Sequence, residues 1–198
     1  MIREVTYNPV FDAQLHFRLI MDSLARPGKI NKLDGIDIHP PTGINNASAF
    51  IAMALLNQDV SFFLSNQDLQ ISDYITINTA SKTTTPDKAD FMFINGATSE
   101  RILESAQIGT LLYPETGAFV IIDVDEVSNT YIQKAKKLVL SGPGNEAEKE
   151  IYINNITDGI LVTLSNLNSE FPLGVEVFIT DRSGSIIGIP RSNKISYS

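Results

Sequence analysis

The stretch GAFVIIDV, from Gly117 to Val124, is the clearest strand in the chain. An unbroken apolar run follows its glycine, and acidic side chains come next. A short run of this kind is typical of a strand buried inside a sheet that is covered on both faces. Three further runs predict strands in the same way: VSFFL (60–64), DFMFING (90–96) and KKLVLSG (136–142).

Helical patterns alternate with these strands. The first begins at Asn8-Pro9 and stops at Arg26-Pro27-Gly28, because proline disfavours helical geometry in the residue before it. Between these points apolar residues recur at helical spacing, at Phe17, Ile20, Met21 and Leu24. Residues 47–56 and 158–172 predict two more helices. Residues 69–79 suit either a strand or a helix, since they combine β-branched content with apolar positions that could face a core from a helix.

The chain closes with a predicted hairpin, in which VEVFITD and SIIGIP flank Arg182-Ser183-Gly184. Helices that alternate with short apolar strands indicate an α/β protein. We expect a three-layer α/β/α arrangement with a central mixed sheet, formed by a single domain over residues 1–198.

Charge and composition exclude several classes of function. The formal net charge is −8, which argues against a nucleic-acid footprint and against attraction to anionic lipid. The chain has no cysteine, so disulfides, thiolate metal sites and a cysteine nucleophile are excluded. No apolar run is long enough to span a bilayer, and the N-terminus has no signal-peptide pattern. We therefore expect a cytoplasmic protein that binds neither membrane nor nucleic acid.

The turn Ser141-Gly142-Pro143-Gly144 follows an apolar run, as a ligand-binding loop often does. A phosphate-binding P-loop requires Lys and then Ser or Thr after its last glycine, but here Asn145 and Glu146 follow. The dinucleotide-binding fingerprint also fails, because it needs a third glycine. Two interpretations stay open: a structural turn, or a turn whose backbone N–H groups contact a ligand.

Titratable residues indicate no metal site. His16 lies in the first predicted helix and His39 precedes two prolines, and neither has a partner at metal-ligand spacing. Asp123, Asp125 and Glu126 follow a strand, where carboxylates often bind magnesium. We favour the alternative that these acids open a helix and interact with its dipole.

Three charged residues lie beside rigid turns. Arg26 precedes Pro-Gly, Glu115 lies within YPETG, and Arg191 follows Pro190. Rigid surroundings hold a side chain in one place, as binding sites and interfaces require. These three residues and the turn 141–144 are the ligand or interface candidates, and the alternative for the three charges is plain solvent exposure.

Four ordered motifs resemble one family. They are FRLIMDSLARPG, IGTLLYPETGAFVII, LVLSGPG and FPLGVEVFITDRSGSIIGIPRS, and they extend from the first helix to Arg191. Together they resemble the PhnH family, the H subunits of bacterial carbon–phosphorus lyase complexes. The sequence departs from the family pattern at two places. Asn145 stands where an apolar residue is usual, and Ser192-Asn193 replaces a threonine-rich ending.

The resemblance implies a function in phosphonate catabolism. It implies a homodimer that assembles with subunits G, I and J, and a non-redox part in the transfer of methylphosphonate onto the ribose of a nucleoside triphosphate. Two alternatives stay open, a free-standing enzyme that acts on a nucleotide or a phosphorylated sugar, and an adaptor without a ligand. We expect the isolated chain to be inactive.

The resemblance also implies a fold similar to that of pyridoxal-phosphate-dependent transferases, without their cofactor. A pyridoxal enzyme needs a lysine for its Schiff base, and the candidate here, Lys82, lies in a polar loop that we expect to be exposed. We therefore expect no cofactor.

One hypothesis joins two of the candidates. We expect the turn 141–144 to leave the end of a central strand and to share an anion site with Arg191, which supplies the positive charge that the acidic loop lacks. Replacement of Arg191 by lysine is then expected to weaken anion binding without disturbing the fold.

Overall fold

The computed structural model describes residues 3–198 and is built around a seven-stranded mixed sheet. The helices are α1 (Phe11–Ala25), α2 (Asn46–Leu55), α3 (Leu69–Thr79), α4 (Glu100–Leu103) and α5 (Asp158–Leu167). The strands are β1 (Asn31–Lys32), β2 (Ser61–Leu64), β3 (Lys82–Thr83), β4 (Phe91–Asn95), β5 (Phe119–Asp123), β6 (Glu126–Ser128), β7 (Lys136–Ser141), β8 (Lys149–Asn154), β9 (Glu176–Thr180), β10 (Ser185–Ile189) and β11 (Lys194–Tyr197).

The large sheet has the strand order β1-β10-β9-β5-β4-β2-β3. Its five strands from β9 to β3 run parallel, β10 runs antiparallel to β9, and β1 runs antiparallel to β10. The predicted hairpin is confirmed as β9 and β10. Neighbouring residues of a strand point to opposite faces, so Phe93 packs into the core on one side of the sheet and Met92 into the core on the other.

Helices cover the first face of this sheet. Helices α1, α2 and α3 pack on the aromatic row formed by Phe91, Phe119 and Phe178, whose rings stack at centroid distances of 5.2 and 6.0 Å. Residues 69–79, which the sequence leaves open, form helix α3. Asp68 begins this helix, because its side chain accepts hydrogen bonds from the backbone N–H groups of Gln70 and Ile71.

The second face is covered differently from the prediction. The α/β class and the central mixed sheet are confirmed, but the third layer is mainly a four-stranded antiparallel sheet with the order β11-β7-β8-β6, joined by α4 and α5. Strands β7 and β8 bury alternate residues, including Leu138, Leu140, Ile151 and Ile153, on the central sheet. The prediction that KKLVLSG forms a strand of the central sheet is therefore wrong, because this segment is β7 of the second sheet. An apolar run of this length does not specify which sheet it joins.

The helices are short relative to a lipid bilayer. Within residues 3–198, none combines the length and the apolar character needed to cross a membrane. The longest is α1, with 15 residues.

Helix α1 approaches strand β10 closely at Gly188. A Cβ atom added there would lie 2.6 Å from the backbone nitrogen of Leu24 and 2.7 Å from the backbone oxygen of Ser23. These neighbours belong to the helix backbone, which cannot move aside as a flexible side chain can. Gly188 therefore sets the distance between the first helix and the sheet.

We expect Gly188→Ala to lower the free energy of unfolding by about 1–3 kcal/mol, because the added methyl group overpacks this contact. Urea unfolding measures the effect. The control is Ser196→Ala, at an exposed position of strand β11. Equal unfolding midpoints for Gly188→Ala and the unmodified protein would show that the helix does not pack as described.

Candidate functional site

A cleft lies at the edge of the large sheet where its parallel strands end. Two adjoining cavities of about 330 and 400 Å³ share the residues Gly43, Ile44, Asn95 and Asp123. Parallel strands bring their carboxyl ends to one edge, where ligands of open α/β sheets usually bind. The strand register places Asn95 beside Asp123, and Asp123 beside Thr180, so three strand ends present polar side chains in one row.

The carboxylate of Asp123 is the centre of a buried polar network. Its Oδ1 atom accepts a hydrogen bond from the Ser48 hydroxyl and another, of 2.8 Å, from the Thr180 hydroxyl. The two hydroxyl oxygens are themselves 2.9 Å apart. Ser48 and Thr180 are both fully buried, and they therefore hold this carboxylate in one orientation.

Helix α2 begins at this network. Asn45 precedes the helix, accepts a hydrogen bond from the backbone N–H of Ser48, and donates its side-chain amide to Thr180 Oγ1 at 3.1 Å. The carboxylate of Asp123 thus lies at the helix N-terminus, where the helix dipole favours negative charge.

Burial raises the pKa of Asp123 above its usual range. The hydrogen bonds from Ser48, Thr180 and the backbone of Asn45 act in the opposite direction but do not offset the burial. A strand-end carboxyl group with a raised pKa beside a cavity is a common property of binding and catalytic sites.

Asparagine side chains surround the cleft. Asn66 and Asn95 use their side-chain oxygens to accept backbone N–H groups of their own loops, those of Asp68 and Ala97. Asn155, directly after β8, lines the second cavity. Among the hydrogen bonds of residues 3–198, none uses the NH₂ group of Asn66 or Asn95, so both remain available as donors.

The mouth of the second cavity carries one exposed ion pair. Arg182 Nη2 lies 3.4 Å from Asp125 Oδ1. The prediction that Asp123, Asp125 and Glu126 open a helix is wrong, because Glu126 begins strand β6. Across the described part of the chain, no group of three or more His, Asp or Glu side chains is arranged to hold a metal ion.

Arg26 and the glycine-proline turn lie together, away from this cleft. Arg26, Gly144 and Asn145 line a separate cavity of about 630 Å³, and Arg26 forms an ion pair with Asp22. The turn packs so tightly that a Cβ atom at Gly144 would lie 2.7 Å from the backbone oxygen of Ala25.

The turn does not leave a strand of the central sheet, as was predicted. Ser141 ends β7, which belongs to the second sheet, and Gly142, Pro143 and Gly144 follow it at the surface. Asn193 stabilises this corner through a 2.9 Å hydrogen bond to the Pro143 carbonyl. Whether the turn binds a ligand or a partner stays a prediction.

Glu115 and Arg191 lie near the opposite edge of the sheet. Arg191 forms an ion pair with Glu176, the first residue of β9, through a 2.6 Å contact, and its Nη1 donates to the carbonyls of Pro114 and Pro172. The cavity beside the turn 141–144 does not include Arg191, and this guanidinium binds groups of the protein itself, so the predicted anion site shared with the turn gains no support and stays a prediction. Glu115 is exposed beside this contact, and its role stays a prediction.

The loops joined by Arg191 carry exposed apolar side chains. Leu111, Leu112 and Tyr113 precede Pro114, and Phe171 precedes Pro172. Leu111 and Leu112 are more than three-quarters exposed, at 78% and 76%. Exposed apolar side chains that lie on positioned loops are typical of interaction surfaces.

Comparison with known proteins identifies the family. A family model described as bacterial phosphonate metabolism protein (PhnH) matches residues 6–196. The chain belongs to the PhnH family. The resemblance predicted from the four motifs is therefore confirmed, and the match includes both the cleft and the loops at Arg191.

Two relatives carry informative names. The chain is 28% identical over 191 residues to the alpha-D-ribose 1-methylphosphonate 5-triphosphate synthase subunit PhnH of Rhizobium meliloti (strain 1021). The aligned region covers 95% of this chain and 92% of that protein. It is 27% identical over 190 residues to the putative C-P lyase subunit protein HtxG of Stutzerimonas stutzeri, with 92% and 85% covered.

Only part of the cleft of this PhnH family member is predicted from the sequence. Asp123 is a candidate because it ends a predicted strand, whereas Ser48, Thr180 and the asparagines are not among the predicted site residues. A usable signal existed, since Asn95 and Thr180 also end strands. Ser48 is 75 residues from Asp123 along the chain, so only the folded arrangement identifies it as a partner.

We expect Ser48→Ala to raise the pKa of Asp123 further, because one of the donors that lower it is lost. With a raised pKa, Asp123 contributes stability when it is protonated and loses that contribution as the pH rises through the folded-state pKa. The variant should therefore lose little stability at a pH below the folded-state pKa of Asp123 and about 1.5–3 kcal/mol at a pH well above it.

Urea unfolding at both pH values measures the stability, and carbon NMR of the Asp123 carboxyl group measures the pKa. Ser165→Ala is the control, because this exposed serine bonds only to a carbonyl of its own helix. An unchanged Asp123 pKa in Ser48→Ala would contradict the network.

We expect Arg191→Lys to destabilise the fold, in contrast to the expectation from sequence. Lysine lacks the planar group that binds Glu176 and two loop carbonyls together, so we expect a loss of about 1.5–3 kcal/mol in the free energy of unfolding. Amide hydrogen exchange should also increase in residues 110–116 and 171–174.

The matched control is Arg101→Lys, at an exposed position of α4. An Arg191→Lys protein with the stability and exchange rates of the control would mean that the guanidinium is dispensable for the fold and available for a ligand.

Proposed function

We propose that the chain is a non-redox subunit of a carbon–phosphorus lyase complex in phosphonate catabolism. Within it, the chain would support the transfer of methylphosphonate onto the ribose of a nucleoside triphosphate. The observation that carries the proposal is the PhnH family match over residues 6–196, together with a relative named as a subunit of the ribose 1-methylphosphonate 5-triphosphate synthase.

The proposal includes assembly with other subunits. The relatives are named as subunits, which supports partners such as G, I and J, and we also propose a cytoplasmic homodimer for the chain alone. The exposed apolar loops around Arg191, with Glu115 among them, supply a surface suited to such contacts.

The proposal includes no cofactor. A similarity to pyridoxal-phosphate-dependent transferases is supported only by the mostly parallel sheet with helices on one face. Lys82, the lysine considered for a Schiff base, lies exposed on strand β3 at the edge of that sheet. An exposed lysine at a sheet edge lacks the enclosed site in which a Schiff base with a cofactor forms.

The second candidate is a free-standing enzyme that acts on a nucleotide or a phosphorylated sugar. The cleft at Asp123 favours it, because the cavities there have the size of a small-molecule site. The two candidates differ in their dependence on partners. A subunit acts only in the complex, whereas a free-standing enzyme turns over its substrate alone.

Deletion of the gene from its host tests the proposal. We expect the deletion strain to lose growth on methylphosphonate as its sole phosphorus source, to keep normal growth on phosphate, and to recover when the gene is returned on a plasmid. An affinity-tagged chain should also co-purify other subunits of the complex.

A biochemical experiment distinguishes a subunit of the complex from a free-standing enzyme. The complex assembled without this chain should not form ribose 1-methylphosphonate 5-triphosphate, and the lone chain should not consume ATP. Unimpaired growth of the deletion strain on methylphosphonate would refute the subunit proposal, and robust turnover by the lone chain would favour the free-standing enzyme.

A further inference from the structure

The cleft at Asp123 has two adjoining compartments, each lined by both apolar and polar residues, which are named by the larger share of their lining. The apolar compartment, of about 330 Å³, is walled by Ile44, Leu64, Ile71, Phe93 and Ile94. The polar compartment, of about 400 Å³, is lined by Thr42, Asn45, Asp125, Asn155 and Arg182. Asp123 and Asn95 belong to both, and each volume falls within the range of about 300–1,000 Å³ that small-molecule sites occupy.

The apolar compartment offers hydrogen-bond donors. The side-chain oxygens of Asn66 and Asn95 accept hydrogen bonds from backbone N–H groups of their own loops. Within the described chain, the NH₂ groups of these two residues are therefore free to donate to a ligand in this compartment. Donors at the rim of apolar walls suit a flat ring that carries acceptor atoms, because the ring faces can contact the walls while the acceptors reach the amides.

The polar compartment offers two carboxyl groups as acceptors, beside the donors Asn155 and Arg182. The carboxyl groups of Asp123 and Asp125 both line it, and carboxyl oxygens accept hydrogen bonds. Acceptors of this kind suit hydroxyl groups. Because Ser48 and Thr180 hold Asp123 in one orientation, this acceptor is preorganised before a ligand arrives.

The charges in the polar compartment disfavour an anion. Two carboxylates face one guanidinium, and that guanidinium is already paired with Asp125. A phosphate placed there would compete with the Asp125 carboxylate for a guanidinium that is already paired. Arg182 is 82% exposed at the mouth, so a phosphate is tolerated only outside.

We propose that this cleft binds a nucleoside, with the heterocycle in the apolar compartment, the sugar hydroxyls against Asp123, and any phosphate outside beside Arg182. The proposal rests in part on the proposed function, which handles a nucleoside triphosphate. It adds that this chain binds the uncharged nucleoside portion of the nucleotide, and that the phosphate groups do not contribute to the affinity for the ligand.

Isothermal titration of the full chain with adenosine tests the proposal. We expect a Kd tighter than about 1 mM for adenosine. Adenosine monophosphate should bind no more tightly, and inorganic phosphate should not displace adenosine. The analogue 2′,3′-dideoxyadenosine should bind about threefold to tenfold more weakly, because it lacks the hydroxyls that reach Asp123.

Variants locate the ligand in the cleft. Asn95→Ala should weaken adenosine binding about threefold to tenfold. The matched control is Asn57→Ala, because Asn57 lies outside the cleft. Its side-chain oxygen accepts a hydrogen bond from the backbone N–H of Asp59, two residues further on, so the control removes the same type of contact as Asn95→Ala. Asp123→Asn should reduce the preference for adenosine over the dideoxy analogue, and the more exposed Asp125→Asn provides a second test if Asp123→Asn does not fold.

The outcomes separate this inference from the proposed function. If the deletion strain depends on the gene but adenosine does not bind, or binds equally to Asn95→Ala and Asn57→Ala, the nucleoside site is refuted and the subunit proposal stands. Displacement of adenosine by inorganic phosphate also refutes it. If adenosine binds specifically to the cleft but the deletion strain still grows on methylphosphonate, the nucleoside site is supported and the proposed function is contradicted.

Discussion

The parallel alignment of the central strands is the constraint on which the cleft depends. Strands β4, β5 and β9 pair in register, so that Asn95, Asp123 and Thr180 end in one row. All three side chains face the helical layer, and the N-terminus of α2 meets them there. One carboxylate therefore joins two strand ends to a helix. Its burial is tolerated because Ser48, Thr180 and the backbone of Asn45 donate to it.

The two faces of the central sheet are buried by different means. On the helical face, large aromatic and aliphatic side chains fill the space, and Gly188 lets α1 approach the sheet closely. On the other face, a second sheet contributes alternate residues of β7 and β8. The difference leaves the cleft on the helical side, where the loop before α2 and the loop after β2 form its walls.

The charged residues beside rigid turns have different surroundings. Arg191 is 11% exposed, and it joins two loops by binding their carbonyls and Glu176. Arg26 is 62% exposed and pairs with Asp22 next to the turn 141–144. A rigid turn beside a charge thus indicates a fixed position, but it does not distinguish a charge that stabilises the fold from one that is available to a partner.

The sequence by itself determined the α/β class, the central strands β2, β4, β5, β9 and β10 with their closing hairpin, and the family, because these depend on local apolar patterns and ordered motifs. It did not predict the two-residue edge strands β1 and β3, which are too short to show a pattern. It did not determine which sheet KKLVLSG joins, since an apolar run specifies burial but not its neighbour. Nor did it reveal that Ser48 and Thr180 donate to Asp123, or that Arg191 is already paired. Those facts join residues 75, 57 and 15 positions apart along the chain, and only tertiary structure decides such contacts, because it sets which distant groups share one buried space.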